Sequence, residues 1–199
     1  LAKKPEFMIS ICFATNNKNK IAEVRSKVGE EISILSLEDI GCFEELPETS
    51  PTLEGNSAQK ARFVADKYKV NCFADDTGLE VDALNGAPGV YSARYAGPAC
   101  NPEDNMNKLL LSMEGQNNRS AQFKTCITLI IDGKETVFHG AVKGTILTER
   151  HGKEGFGYDP IFQPEGYLVS FAEMPLSEKN TISHRALAVE KLIDYLKTI

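Results

Sequence analysis

At 199 residues, with 42% apolar and 25% charged content, the chain has the size and make-up of one globular protein with one substantial core. A net charge of −6 leaves no basic stripe for nucleic acid, which excludes that class of partner but not a small anion screened by a cation and local lysines. The longest apolar run, from Cys126 to Ile131, is far too short to span a bilayer, and Met8-Ile9-Ser10-Ile11 lacks the apolar stretch of a secretory signal, so a cytoplasmic protein is expected.

In chain order, Leu1 to Phe7 read as tag sequence, leaving a single domain over 8–199. Met8 to Ala14 is a short strand that runs into the polar turn Thr15-Asn16-Asn17-Lys18-Asn19-Lys20. A helix follows with Ile21, Val24 and Val28 on one face and Gly29 closing it. Ile32 to Leu35 forms a second strand, and the acidic, proline-bearing stretch from Glu44 to Pro51 is loop. Leu53 to Tyr68 is an amphipathic helix with Ala58, Ala61, Ala65 and Tyr68 inward. Asn71 to Ala74 is a strand that ends at Asp75-Asp76-Thr77-Gly78.

Leu84 to Pro98 winds as an ordered loop. A helix then opens with Asn101 as N-cap and Pro102 at its first position, buries Met106, Leu109, Leu110 and Met113, and stops at Gly115. Alternation from Ala121 to Ile131, the turn Asp132-Gly133 and a partner strand to about Leu147 make a long hairpin. A glycine-rich loop, His151 to Tyr158, precedes a short strand at Ile161-Phe162. A last helix starts at Ser183 and buries Leu187 or Ala188, Leu192 and Leu196. A hairpin among βα units predicts an α/β fold on a mixed sheet.

The five cysteines (Cys12, Cys42, Cys72, Cys100 and Cys126) are scattered, odd in number and without C-x-x-C. That spacing argues against a disulfide framework or a zinc site and for reduced thiols. His139 and His151 have no neighbours in sequence that suggest a cluster, and they read as ordinary strand and loop residues.

Four polar clusters sit at predicted element ends, where sites are commonly built. Thr15 to Lys20 offers backbone N–H groups at a helix start and a lysine able to reach a phosphate, though a solvated turn accounts for it equally. The acids Glu44, Glu45, Glu48 and Glu54 suit a soluble loop and a helix start as well as a metal. Asp75-Asp76-Thr77-Gly78 fits either a metal-and-water centre or a turn built on Asx hydrogen bonds. Gly155-Phe156-Gly157-Tyr158-Asp159, with Lys179 and Ser183-His184-Arg185, fits a stacking platform with donors for a base. It fits a core aromatic, a cap and a surface arginine too.

Together these clusters resemble the inosine triphosphate pyrophosphatase, or Ham1-like, family over nearly the whole chain after Met8. The most specific blocks are Ala74-Asp75-Asp76-Thr77-Gly78-Leu79, Gly86-Ala87-Pro88-Gly89-Val90-Tyr91-Ser92-Ala93-Arg94, Phe156-Gly157-Tyr158-Asp159-Pro160 and Ile182-Ser183-His184-Arg185. The resemblance implies hydrolysis of non-standard purine nucleoside triphosphates (dITP, ITP, XTP) to the monophosphate and pyrophosphate, with Mg²⁺ or, in its place, Mn²⁺. Asp76 is implied as metal ligand and catalytic base and Lys20 as the phosphate-binding lysine. Glu48, Asp76 and Asp75 are the implied metal set.

Thr15, Asn16, Asn17, Lys18, Asn19, Lys60, Thr77 and Arg94 are implied as substrate contacts. Phe156, Gly157, Tyr158, Asp159, Lys179, His184 and Arg185 form the implied nucleoside set. The family fold is an elongated α/β molecule with a cleft between two lobes, commonly a homodimer. Asn16 stands where the family's phosphate turn has glycine, a position asparagine can hold because it tolerates left-handed backbone angles. The rival readings are a Maf-like nucleotide pyrophosphatase and a regulatory module that binds a nucleotide without hydrolysing it.

Overall fold

The structure is a computed structural model and describes residues 9–199; the tag reading of Leu1 to Phe7 lies outside the described residues. The strands are β1 (Ile9–Phe13), β2 (Ile32–Leu35), β3 (Cys72–Val81), β4 (Pro88–Gly89), β5 (Ser120–Ile131), β6 (Lys134–Ile146) and β7 (Phe162–Pro164). The helices are α1 (Lys18–Arg25), α2 (Leu53–Tyr68), α3 (Pro102–Ser112), α4 (Leu176–Ile182) and α5 (His184–Leu196). The seven strands form one sheet in the order β2-β1-β3-β5-β6-β7, with β4 paired to β3. β1 runs parallel to β2 and β3, whereas β4 and β7 lie antiparallel to β3 and β6. The sheet is mixed, as the alternation of hairpin and βα units predicts.

The chain divides into two compact units. Among the described residues, the first takes 9–76, Cys126–His139 and Ala188–Ile199; the second takes Thr77–Thr125 and Gly140–Leu187. In the first unit the sheet is covered on both faces. Ile11, Phe13 and Phe73 pack with Val24 and the α5 residues Ala188, Val189, Leu192 and Leu196. Cys12, Ala14 and Ala74 face the other way, against Ala61 and Val64 of α2. The period-2 alternation of β1 and β3 therefore feeds two cores, which is why these strands read as unbroken apolar runs. In the second unit Leu79, Val81, Met106, Leu109, Met113, Phe123, Ile146, Phe162 and Phe171 make a separate core.

Several expectations are corrected. α1 ends at Arg25 with Ser26 as its C-cap, short of Gly29. α2 has the expected limits, but its buried stripe is Leu53, Asn56, Ser57, Lys60, Ala61 and Val64, with Ala58, Ala65 and Tyr68 only half-buried. Two of those buried positions are polar and one is a lysine, so an apolar-only pattern finds the wrong face. β3 does not stop at Ala74; it continues through the acidic pair to Val81. Ile161 belongs to a 3₁₀ turn ahead of β7, and a short helix, α4, precedes the final one. α3 starts on the Asn101 cap as expected, and its side chain accepts from the backbone N–H groups of Glu103 and Asp104. Among the described residues, no helix is long and apolar enough to cross a membrane.

Candidate active site

The first unit gathers an acidic centre around β3. Because successive strand residues point to opposite faces, the neighbours Asp75 and Asp76 do not confront one another. Asp75 shares its face with Phe73, the side packed by α1 and α5. There Lys20 of α1 reaches it, Nζ to Oδ1 at 2.9 Å. Asp76 shares its face with Ala74, towards α2, and its Oδ2 accepts from Asn56 Nδ2 at 3.0 Å. Lys60, one turn further along α2, lies 3.9 Å from Asp76 Oδ1 and donates to Glu48. Both aspartates are buried, and each has a lysine to offset its charge. Two adjacent carboxylates inside a strand would otherwise repel at a cost in stability.

Glu48 comes from an exposed loop and is held in place by its neighbours. Thr49 N–H donates to Gln59 Oε1 at 3.0 Å, Gln59 Nε2 donates back to Thr49 Oγ1 at 2.9 Å, and Ser50 N–H donates to Asn56 Oδ1 at 2.9 Å. Asn56 thus ties the Glu48 loop to Asp76. Neither Asn56 nor Gln59 was singled out from the sequence. The signal available was their spacing with Lys60 on α2, where Asn56 and Lys60 stack one turn apart.

Burial pushes the Asp76 carboxyl up from its ordinary range, a rise that Lys60, Asn56 and Lys20 oppose and Glu48 reinforces. For Lys60, burial acts downward, but the carboxylates of Asp76, Asp75 and Glu48 outweigh it and hold the ammonium above its usual value. The Lys60 ammonium, in reach of both Glu48 and Asp76, shows that these two carboxylates converge on a single cationic group. Oxygen-only donors of this kind suit a hard divalent cation such as Mg²⁺.

The predicted phosphate turn lies at the start of α1. Asn17 is the N-cap, its Oδ1 accepting from Asn19 N–H at 3.0 Å and Lys20 N–H at 3.2 Å, while Thr15 Oγ1 accepts from Asn17 N–H. Asn16, Lys18 and Asn19 are exposed. Asn16 does not take a positive φ, so tolerance of left-handed angles is not needed there.

The second unit gathers the aromatic cluster. Gly155 has φ +77°, and a Cβ on it would lie 2.2 Å from Asp159 Oδ2, so glycine is required where the loop passes that carboxylate. Asp159 Oδ2 accepts from Phe156 N–H at 2.7 Å and pairs with Lys179 Nζ at 2.8 Å. Lys179 sits over the Phe156 ring at 4.8 Å and the Arg185 guanidinium over it at 5.4 Å.

His184 stacks on Phe123 with ring centroids 4.6 Å apart, and Ser183 Oγ caps the first turn of α5 by accepting from Ala186 N–H. His184 and Arg185 are both buried, unlike a surface cap. Tyr158 is a buried core residue whose hydroxyl donates to Ser92 O at 2.8 Å. Gly157 has φ +65°. Thr77 hydrogen-bonds Thr125 through their hydroxyls at 2.8 Å. Arg94 sits over the Tyr91 ring at 5.2 Å rather than on the Phe156 cluster.

These arrangements sort by chemistry. The first unit presents two buried carboxylates, a third on an exposed loop and two lysines, a set able to hold a cation, activate a water and meet phosphate charge. The second presents a half-buried ring, Phe156, flanked by two cations, and beside Arg185 in sequence an imidazole stacked on Phe123, a set able to take a planar heterocycle. The Ham1 family model matches residues 11–195. A Flavobacterium johnsoniae protein named dITP/XTP pyrophosphatase is 61% identical over 94% of this chain and 98% of its own. One of the same name from Porphyromonas gingivalis is 51% identical over 95% and 98%. Among solved structures, the Staphylococcus aureus Ham1 protein superposes with a TM-score of 0.87 at 36% identity, covering 95% of this chain and 98% of that one. A Coxiella burnetii HAM1 protein gives 0.88 at 36% identity, covering 96% and 100%.

Proposed function

We infer that this chain, which belongs to the Ham1 family, hydrolyses non-standard purine nucleoside triphosphates such as dITP, ITP and XTP to the monophosphate and pyrophosphate. The observation that carries the reading is the buried Asp76 with Asn56, Lys60 and Glu48 around it, on the chain's own acidic block. Removal of such nucleotides keeps them out of DNA and RNA. The reading includes a cytoplasmic homodimer.

Glu48 and Asp76 are the residues that would hold Mg²⁺, with Asp75 behind them in its pair with Lys20. When bound, the ion supplies charge neutralisation on the triphosphate oxygens and on the leaving pyrophosphate. Asp76, its carboxyl raised by burial, is a base of useful strength: it orients a water and accepts its proton as the water oxygen bonds to the α-phosphorus. The α–β phosphoanhydride bond breaks and pyrophosphate departs. Lys20 and Lys60 meet the charge on the phosphoryl oxygens. Positioning and electrostatics of this kind carry most of the work in phosphoryl transfer.

The base falls to Phe156, with Lys179, His184 and Arg185 as donors. Hypoxanthine and xanthine present an oxygen at position 6, where adenine presents an amino group. A donor-lined pocket leaves that amino group facing another donor, a costly mismatch once buried. The test is a pyrophosphate-release assay on ITP, XTP, GTP and ATP with and without Mg²⁺. Pyrophosphate from ITP and XTP, dependent on the metal, is the expected result. Release of orthophosphate, or equal kcat/KM for ITP and ATP, overturns the reading.

A further inference from the structure

One group of chemistry-bearing side chains lies outside the residues assigned above to nucleotide hydrolysis. Asp132 and Gly133 both take positive φ, 49° and 78°, and close the β5–β6 hairpin as a two-residue turn. With Ile131 opposite Lys134, stepping back equally along the two strands sets Cys126 opposite His139. Opposed residues of a hairpin share a face and stand close enough to touch.

α2 lies over that same face. Ser57 Oγ donates to Cys126 Sγ at 3.4 Å and shares a hydrogen bond with Thr128 Oγ1 at 2.7 Å. Glu54 sits one turn before Ser57, and its Oε1 lies 3.7 Å from His139 Nδ1. One donor atom from each of Glu54, Cys126 and His139 lies within 4.8 Å of the other two. No stretch of sequence links the three, so the cluster exists only through the pairing of α2 with the hairpin.

We propose that Glu54, Cys126 and His139 form a binding site for a thiophilic divalent cation of the Zn²⁺ type, separate from the carboxylate centre at Glu48 and Asp76. Sulfur, imidazole nitrogen and carboxylate oxygen are the donors such ions take, with a fourth position left to water. Tetrahedral coordination puts neighbouring donors about 3.5 Å apart; the Glu54–His139 pair at 3.7 Å is already near that, and only the pairs with Cys126, within 4.8 Å, need to draw in. Cys126 is buried and fixed, while the Glu54 and His139 side chains are 59% and 58% exposed and have room to adjust. Burial, with the nearby carboxylates of Glu54, Asp76 and Asp75, pushes the Cys126 thiol up to about 11, against a hydrogen bond from Ser57.

A hard, oxygen-preferring ion gains little from a neutral thiol. A thiophilic ion displaces the proton, so the S–H bond breaks, a metal–sulfur bond forms and the proton goes to solvent. The same three carboxylates attract the incoming cation. The proposal runs against the expectation from cysteine spacing alone, which argues against a zinc site: one cysteine suffices when the other donors come from separate elements.

Co²⁺ serves as the spectroscopic probe. The reduced full chain, held in excess Mg²⁺ to fill the carboxylate centre, is titrated with Co²⁺ and then with Zn²⁺. The expected result is a thiolate-to-cobalt charge-transfer absorption that saturates at one Co²⁺ per chain and is bleached by Zn²⁺. Cys126→Ser should abolish the band, and His139→Ala, a change at an exposed position, should weaken Co²⁺ binding by at least about tenfold. The proposal is overturned by absence of the band in the wild type, by its survival in Cys126→Ser, or by unchanged affinity in both His139→Ala and Glu54→Gln.

Discussion

Asp76 concentrates two opposed demands in one side chain. Its burial raises the carboxyl, which suits a base but makes the charged form costly to hold inside the fold. Asp76→Asn should lower kcat by about 10²–10⁴-fold. It should also raise the melting temperature at neutral pH. The sign follows from linkage: an acid whose folded pKa lies above its unfolded value favours the fold at low pH, and that contribution is lost as pH rises through the folded value. The gain on removing Asp76 is therefore largest at neutral pH and shrinks as pH falls towards the ordinary aspartate value of about 3.9. Thermal melts of both proteins across that range, beside steady-state rates, check both halves. A variant that is both active and no more stable would remove Asp76 from the account.

Lys60 belongs to the same scale. Because it opposes the rise in the Asp76 carboxyl, Lys60→Met should push that carboxyl higher. The acidic limb of the kcat profile should then move to higher pH as KM increases, measured by a pH–rate series on ITP.

At the scale of elements, legibility in the sequence followed how local the cause was. α3 and the β5–β6 hairpin carry their start and turn signals within a few residues, Asn101-Pro102 and Asp132-Gly133, and both were legible. Asp75-Asp76-Thr77-Gly78 has the composition of a turn, so the sequence predicts that β3 ends at Ala74. It continues because Lys20, Asn56 and Lys60, all remote in sequence, compensate the two charges. α4 went unread for a related reason: Pro175 sits at its N-cap and makes no side-chain capping hydrogen bond, so no start signal precedes it. His139 looked isolated since its companions lie on α2 and the opposite strand.

The loop from Gly155 to Asp159 carries its own prediction. Lys179→Met leaves the buried Asp159 without its lysine, which should cost about 3–5 kcal/mol. It also removes the support under the Phe156 ring. Urea melts should show the loss, and the KM for ITP should rise more than kcat falls.

At the scale of the whole molecule, the acidic chemistry and the aromatic chemistry belong to different compact units, each with its own core. Of the four sequence blocks that carry the family resemblance, three lie in the second unit, and Ala74–Leu79 runs from the first into the second. The site residues were legible as a set only through that resemblance. Taken singly, Thr15 to Lys20 or Asp75-Asp76 remained compatible with a solvated turn, because a short motif does not encode the distant lysine or carboxylate that gives it chemistry. Leu192→Ala, in the core of the first unit, should cost about 2–5 kcal/mol and lower the urea midpoint without altering base preference.

Base preference and bond choice together define the activity. The most direct test is product analysis with wild type and Asp76→Asn on ITP, XTP, GTP and ATP at fixed Mg²⁺. The account predicts equimolar monophosphate and pyrophosphate from ITP and XTP. It also predicts a kcat/KM for ITP about 10²-fold or more above that for ATP, and near-complete loss in the variant. Orthophosphate as the product, or ATP turned over as well as ITP, would contradict it.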